Sequence, residues 1–227
     1  LACFFPGQGS QSPGMGRDLA DAHPVARQTF EEADEALGTS LSKTIFEGTE
    51  EELKRTEVTQ PAILTTSVAT WRALTAALPN LGPSFAAGHS LGEWSALVAA
   101  GAVTFADAVR LVQLRGRFMQ EAVPEGLGAM SAIVGVEPDV VAEVCDEVAA
   151  ETGEVVAPAN INSAEQLVIS GAAAAVEAAC ARLRDAGAKK IIALPVSAPF
   201  HCALMQPAAE RLADAMSSVR FSAPSIP

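Results

Sequence analysis

Gly88-His89-Ser90-Leu91-Gly92-Glu93-Trp94 is the stretch on which the reading of the fold turns. The apolar run Phe85-Ala86-Ala87 precedes it and Ser95-Ala96-Leu97-Val98-Ala99-Ala100 follows it, so the sequence predicts a strand, a very tight turn and a helix. With Gly at about 7% of residues, G-x-S-x-G arises by chance in about one chain in ten of this length, so the letters alone are weak. Their setting gives them weight. A strand-to-helix elbow needs Gly on both sides of the Ser, where a Cβ would collide with neighbouring backbone while the Ser sits in strained torsions. Ser90 is expected to project its hydroxyl above the sheet edge, at a helix N-terminus where unpaired N–H groups and the macrodipole favour an oxygen gaining negative charge. A glycine-flanked turn with a solvated Ser is the plainer reading of the same letters.

Composition narrows the class. The 227 residues, 49% hydrophobic and 19% charged, suit one large globular domain or one domain carrying a smaller insert, and not a disordered chain. No run approaches the roughly 18 uninterrupted apolar residues of a bilayer span, and no membrane partner is expected. Leu1-Ala2-Cys3-Phe4-Phe5-Pro6-Gly7 has no basic n-region and no long apolar h-region, so no signal peptide is read there. Cys3, Cys145, Cys180 and Cys202 are scattered, with no C-x-x-C and no nearby His pair. They read as small buried apolar residues in a reducing cytoplasm, and no metal is expected. A net charge of −12 without a basic stripe argues against nucleic acid as a partner.

Leu1 to Phe5 reads as a strand that runs into the Gly-rich loop Pro6 to Gly14, where backbone N–H groups can come close to a ligand. The loop fits neither the Walker A nor the Rossmann spacing. Residues 15–37 and 41–54 have helical periodicity and dense acidic residues, as in solvated surface helices. Thr59 is the expected cap of the next helix, with Pro61 in its first turn and Ala62, Ile63, Leu64, Val68, Trp71, Leu74 and Leu78 as its apolar stripe. A long helix is expected to start at Thr104 and Asp107 and to reach about Val123. Placing its residues at 100° intervals gathers Arg110, Gln113, Arg117 and Gln120 on a polar face, and puts Arg115 among Leu111, Val112, Phe118, Met119 and Ala122. An arginine on the buried stripe is costly unless it meets an anion, a ligand carboxylate or a structural Asp or Glu, or snorkels to water.

From Ala129 the rhythm changes to strand, helix, strand, strand, helix and strand, the last over Lys189 to Val196. That order is ferredoxin-like. The expected organisation is an α/β fold in which 1–124 and 197–227 form a hydrolase-like large domain with a parallel sheet, and 125–196 a ferredoxin-like insert. A helix from about Pro207 to Ser217 and the approach to a further strand over Phe221 to Pro227 complete the reading.

A serine hydroxyl needs a base, and histidine has the pKa for that at neutral pH. His23 lies in an acidic helix beside Pro24, and His89 adjoins Ser90 in a turn where neighbouring side chains diverge. His201, in a Pro-containing loop, is left as the candidate. An α/β-hydrolase would add an acid between positions 90 and 201, but Asp107, Asp139, Asp146 and Asp185 all fall on apparent helices. A backbone carbonyl is the alternative orienting group.

Phe5-Pro6-Gly7-Gln8-Gly9-Ser10-Gln11, Thr59-Gln60-Pro61-Ala62, Gly88 to Glu93, Arg115-Gly116-Arg117-Phe118-Met119-Gln120 and Pro199-Phe200-His201 occur in one order along the chain. In that order and rough spacing the sequence resembles the malonyl-CoA:acyl carrier protein transacylases over nearly its whole length. The resemblance implies Ser90 as nucleophile, His201 as general base and then acid, and Arg115 as the group that holds the malonyl carboxylate. It also implies an oxyanion hole from the backbone N–H groups of Gln8 and Leu91, and a pocket lined by Gln60 and by Asn160 or Asn162. No cofactor is implied beyond the coenzyme A thioester and the partner's phosphopantetheine. Phe200, a large side chain just before the base, would narrow the room at the α-carbon and favour malonyl over methylmalonyl. A serine esterase or patatin-like lipase would share the elbow but use water and have no use for Arg115, and a non-catalytic carrier-binding module would keep the fold without the chemistry. Acyl carrier proteins are acidic, as is this chain, so docking needs a local positive patch, for which Arg182, Arg184, Lys189 and Lys190 are the candidates. A monomer is expected.

Overall fold

Residues 1–196 and 198–227 are described by the structure, a computed structural model. Position 197, where the return to the large domain is expected, lies outside the described residues. The chain divides into one unit of Leu1–Arg117 with Leu212–Pro227, and a second of Phe118–Arg211. The division of the described chain thus falls at Arg117/Phe118 and Arg211/Leu212, wider than the expected insert of 125–196.

The first unit runs β1 (Ala2–Phe5), α1 (Arg17–Ala22), α2 (Pro24–Leu37), α3 (Leu41–Glu47), α4 (Glu50–Lys54), α5 (Thr56–Ala77), β2 (Phe85–Gly88), α6 (Gly92–Ala99) and most of α7 (Phe105–Ala122). β1 and β2 pair in parallel, Ala2 opposite Phe85 through Phe5 opposite Gly88. Parallel neighbours cannot be joined by a hairpin, and the crossover here is the whole helical segment from α1 to α5. α5 is the central helix, and its Leu64, Val68 and Ala69 are buried in one core with Phe30, Ile45, Leu53, Leu91, Val109 and Val112. Each buried Leu, Ile or Phe contributes about 1.5–3 kcal/mol, so that core holds α6, entered through Leu91, against its neighbouring helices.

Several boundaries differ from the sequence reading, each for a local reason. The expected helix over 15–37 is two helices, because Pro24 has no N–H to continue α1 and instead occupies the first position of α2. The one over 41–54 breaks at Thr49, whose hydroxyl accepts from the Glu52 N–H at 3.2 Å while Glu52 accepts from the Thr49 N–H at 2.8 Å. That reciprocal pair starts α4 as a helix of its own. These helices are not only solvated, since Ala26, Phe30, Ala33, Leu41, Ile45 and Leu53 are buried. Thr59 is not a cap. Arg55 is extended, so α5 starts at Thr56, and Thr59 turns its hydroxyl back to the Arg55 carbonyl at 3.1 Å, with Pro61 inside the helix. By contrast Thr104 does cap α7, its hydroxyl accepting from the Asp107 N–H at 3.1 Å.

The second unit continues from the end of α7 through β3 (Gly128–Val134), α8 (Pro138–Thr152), β4 (Val156–Ser163), β5 (Gln166–Ala172), α9 (Ala173–Asp185), β6 (Lys190–Ala193) and a short 3-10 turn at Ala203–Met205 into the first half of α10 (Gln206–Met216), whose residues from Leu212 belong to the first unit. The four strands lie in the order β4-β5-β3-β6, and every pairing is antiparallel. This is the ferredoxin-like arrangement. Alternate strand residues Ile133, Leu167 and Ile169 pack with Val141, Val148, Val176 and Leu183 of α8 and α9. The last strand ends at Ala193 rather than at Val196. Cys145 and Cys180 are buried as expected, whereas Cys3 and Cys202 are only half-buried. Burial, with Asp146 and Cys180 adding to it, pushes the Cys145 thiol up to about 12.

Phe221 to Pro227 form no strand among the described residues. The segment is tied down by Ser222 and Ser225, whose N–H groups donate to the carbonyls of Ala102 and Ala100 at 2.9 and 2.8 Å, and by the Ala86 N–H, which donates to the Pro227 carbonyl at 2.8 Å.

Candidate active site

Ser90 sits between β2 and α6 with φ at 50°, a left-handed conformation that a residue with a Cβ rarely adopts. The flanking glycines explain how the turn closes. A Cβ on Gly88 would lie 1.9 Å from the carbonyl carbon of Gly92, and one on Gly92 would lie 2.2 Å from the Phe5 carbonyl oxygen. Both are far inside van der Waals contact, so each position requires Gly. The Gly92, Glu93 and Trp94 N–H groups donate to the carbonyls of His89, Ser90 and Leu91, and the His89 N–H donates to that of Phe5 at 3.1 Å. Leu91 buries its side chain completely and anchors the helix start.

The loop after β1 approaches this turn closely. A Cβ on Gly7 would lie 2.4 Å from the His89 carbonyl oxygen and 2.8 Å from its Nδ1, so the loop backbone rests on the elbow. Ser10 holds the loop by donating its hydroxyl to the Gly7 carbonyl at 2.9 Å. Among the described residues, the backbone N–H groups of Gln8 and Leu91 donate to no protein acceptor. Two free amides on adjoining segments are what an oxyanion hole requires.

Arg115 comes up from α7. Its Nη1 donates to Gln60 Oε1 at 2.7 Å and its Nη2 to Ser90 Oγ at 3.2 Å. Gln60 is only 1% exposed and is itself fixed in α5. The guanidinium thus ends on an amide and a hydroxyl, not on the structural carboxylate that was the alternative. Burial lowers its pKa from the ordinary guanidinium range to about 10, and the negative charge of Glu93 opposes that shift. Arg115 therefore stays cationic at neutral pH. Glu93 is the contributor the sequence reading passed over, although it stands three residues after Ser90 in the first turn of α6.

The remaining candidates belong to the second unit. His201 is exposed and has φ at 62°. Among the described residues it and Ser90 are the two non-glycine positions with positive φ. Phe200 is 7% exposed, so its side chain is packed inside. Asn160 is half-buried in β4 opposite Val168, beside a register shift, and Asn162 in the same strand is exposed. Hydrogen bonds thus join Ser90, Arg115 and Gln60 directly, while His201 and Phe200 share a turn. No cluster of three His, Cys, Asp or Glu side chains among the described residues is placed to hold a metal ion.

The profile of the acyl transferase domain matches residues 3–227. A malonyl CoA-acyl carrier protein transacylase of Salmonella typhimurium is 53% identical over all of this chain, which spans 72% of that relative. The chain belongs to the malonyl-CoA:acyl carrier protein transacylase family. A Bacillus subtilis transacylase is 49% identical, with 100% of this chain covering 71% of it. Among solved structures, the transacylase of Coxiella burnetii superposes with a TM-score of 0.96 at 46% identity, covering 100% of this chain and 71% of its own. A malonyl-transacylase in complex with its type II PKS acyl-carrier protein gives a TM-score of 0.95 at 51% identity, covering 100% of this chain and 72% of that one. This family membership agrees with the hydrolase-like elbow and the ferredoxin-like unit described above.

Proposed function

We propose that the chain transfers a malonyl group from malonyl-CoA to the phosphopantetheine thiol of an acyl carrier protein through a malonyl ester of Ser90. The observation that carries this reading is the guanidinium of Arg115 at 3.2 Å from the Ser90 hydroxyl. A cation beside the nucleophile suits an acyl group that ends in a carboxylate, and is of no use to a hydrolase of neutral esters.

In this mechanism His201 takes the hydroxyl proton as Ser90 Oγ attacks the thioester carbonyl. The carbonyl oxygen becomes an oxyanion and is held by the N–H groups of Gln8 and Leu91. The C–S bond breaks, and coenzyme A leaves as the thiol with the proton from His201. The carrier's thiol then gives its proton to His201 and attacks the ester, and Ser90 leaves with that proton restored. Arg115 holds the malonyl carboxylate throughout, Gln60 holds Arg115, Asn160 or Asn162 lines the pocket, and Phe200 restricts the α-carbon. Every bond is made and broken by proton transfer and acyl exchange, so the reading assigns no metal and no redox cofactor.

We infer further that the enzyme works as a cytoplasmic monomer without nucleic-acid or membrane partners. Four free cysteines fit a reducing compartment, and no helix among the described residues is long and apolar enough to cross a membrane. For the acidic carrier the docking surface is Arg184, Lys189 and Lys190. Arg182 drops out of that patch because its guanidinium is engaged by Glu147 and Glu151.

The acceptor decides the reading. Incubated with malonyl-CoA and holo-carrier protein, the chain should form malonyl-carrier faster than free malonate, and Ser90→Ala should form neither. Release of malonate at the same rate with and without carrier would point to a hydrolase instead.

A further inference from the structure

His201 holds a left-handed backbone without being glycine, a strained conformation that persists only where its surroundings impose it. The turn around it shows what does so. The Phe200 N–H donates to the Ala198 carbonyl at 3.1 Å, and the Met205 N–H to the Cys202 carbonyl at 2.9 Å. The Cys202 thiol donates to the Pro199 carbonyl at 3.2 Å, closing the four residues that contain His201. Pro199 in turn lies flat against the first residue of β3. A Cβ on Gly128 would be 2.3 Å from Pro199 Cδ, 2.4 Å from its Cγ and 2.9 Å from its Cβ. Gly128 has an unremarkable φ, so this glycine is required by the proline ring and not by its own backbone.

We propose that Gly128 and Cys202 form a brace that positions His201: Gly128 admits the Pro199 ring onto the sheet, and the Cys202 thiol locks the turn to the Pro199 carbonyl. Neither residue touches substrate. Both act through the imidazole, by fixing the backbone from which it projects. The inference rests on the reading of His201 as the base. A Cβ at Gly128 has to push the proline ring by roughly 1 Å to reach ordinary contact, and misplacement on that scale costs catalysis far more than binding. A thiol–carbonyl hydrogen bond is weaker, so its loss loosens the turn without moving it.

The test is the rate of Ser90 acylation by malonyl-CoA, with KM measured separately, in the full chain. Gly128→Ala should lower kcat by about 10-fold or more with KM for malonyl-CoA unchanged. Cys202→Ala should lower kcat by about threefold at unchanged melting temperature, and Cys202→Ser, which keeps a donor, should recover most of that loss. If Gly128→Ala does not fold, the two Cys202 variants decide alone. Wild-type kcat in Cys202→Ala, or an equal loss in Cys202→Ser, would overturn the brace. His201→Ala separates this from the underlying reading. Normal acylation there would overturn the base assignment, whereas slow acylation there beside a normal Cys202→Ala would overturn the brace alone.

Discussion

The elbow at Ser90 and the turn at His201 solve the same problem in opposite ways. Each holds a non-glycine residue at positive φ, 50° at Ser90 and 62° at His201. At the elbow the constraint is backbone against backbone, with Gly88 on Gly92 and Gly92 on the Phe5 carbonyl. At the turn it is side chain against backbone, with a proline ring on Gly128 and a thiol on a carbonyl. A contact between main chains has nowhere to relax, whereas a ring or a thiol can shift by tenths of an ångström. The turn at Ser90 is therefore locked and the turn at His201 only braced.

The largest effect expected from this difference is at the elbow. Gly88→Ala places a Cβ 1.9 Å from main-chain carbon, and should destabilise the protein by more than about 4 kcal/mol or prevent folding. Thermal unfolding checks this, and a folded, active Gly88→Ala would show that the elbow can relax after all. Next in size is Arg115→Ala, which leaves both turns intact and removes only what the elbow is aimed at. kcat/KM for malonyl-CoA should fall by about 100-fold to 1000-fold, as for truncation of a buried charged partner, while acylation by acetyl-CoA should fall far less. Equal losses on both substrates would mean that the guanidinium shapes the elbow rather than receiving a carboxylate.

A smaller effect belongs to the second unit. Replacing Lys189 and Lys190 together by Glu should raise KM for carrier protein by about 10-fold, less at high salt, and leave KM for malonyl-CoA alone. A parallel rise in both would remove the docking assignment. The smallest concerns Glu93. Arg115 loses its proton as pH rises through about 10, so malonyl preference should be flat below about pH 9 and decline above it. Glu93 raises that pKa, so Glu93→Gln should move the decline to lower pH. Competition between malonyl-CoA and acetyl-CoA across pH 8 to about 10 reads the shift, and a move to higher pH would contradict it.

The same contrast explains how much was legible in the sequence. The elbow was, because two glycines at fixed spacing around a serine are the direct imprint of backbone clashes. Arg115 was too, since helical periodicity alone set it apart from the polar face of α7, although its bonds to Gln60 and Ser90 depend on packing between helices that no spacing reveals. The ferredoxin-like order of β3 to β6 followed from alternation. The start of α5 did not, because a capping box at Thr49 and an extended Arg55 together outweighed the apparent cap at Thr59. Nor did the brace around His201, which pairs Gly128 with Pro199 across about seventy residues and leaves no local pattern.

The account stands most directly on intact mass and peptide mapping after brief exposure to malonyl-CoA in the absence of carrier protein. One malonyl group per chain, mapped to Ser90, chased off by holo-carrier and absent from Ser90→Ala, is the predicted result. A chain that stays unmodified, or that carries the malonyl group on another residue, would contradict it.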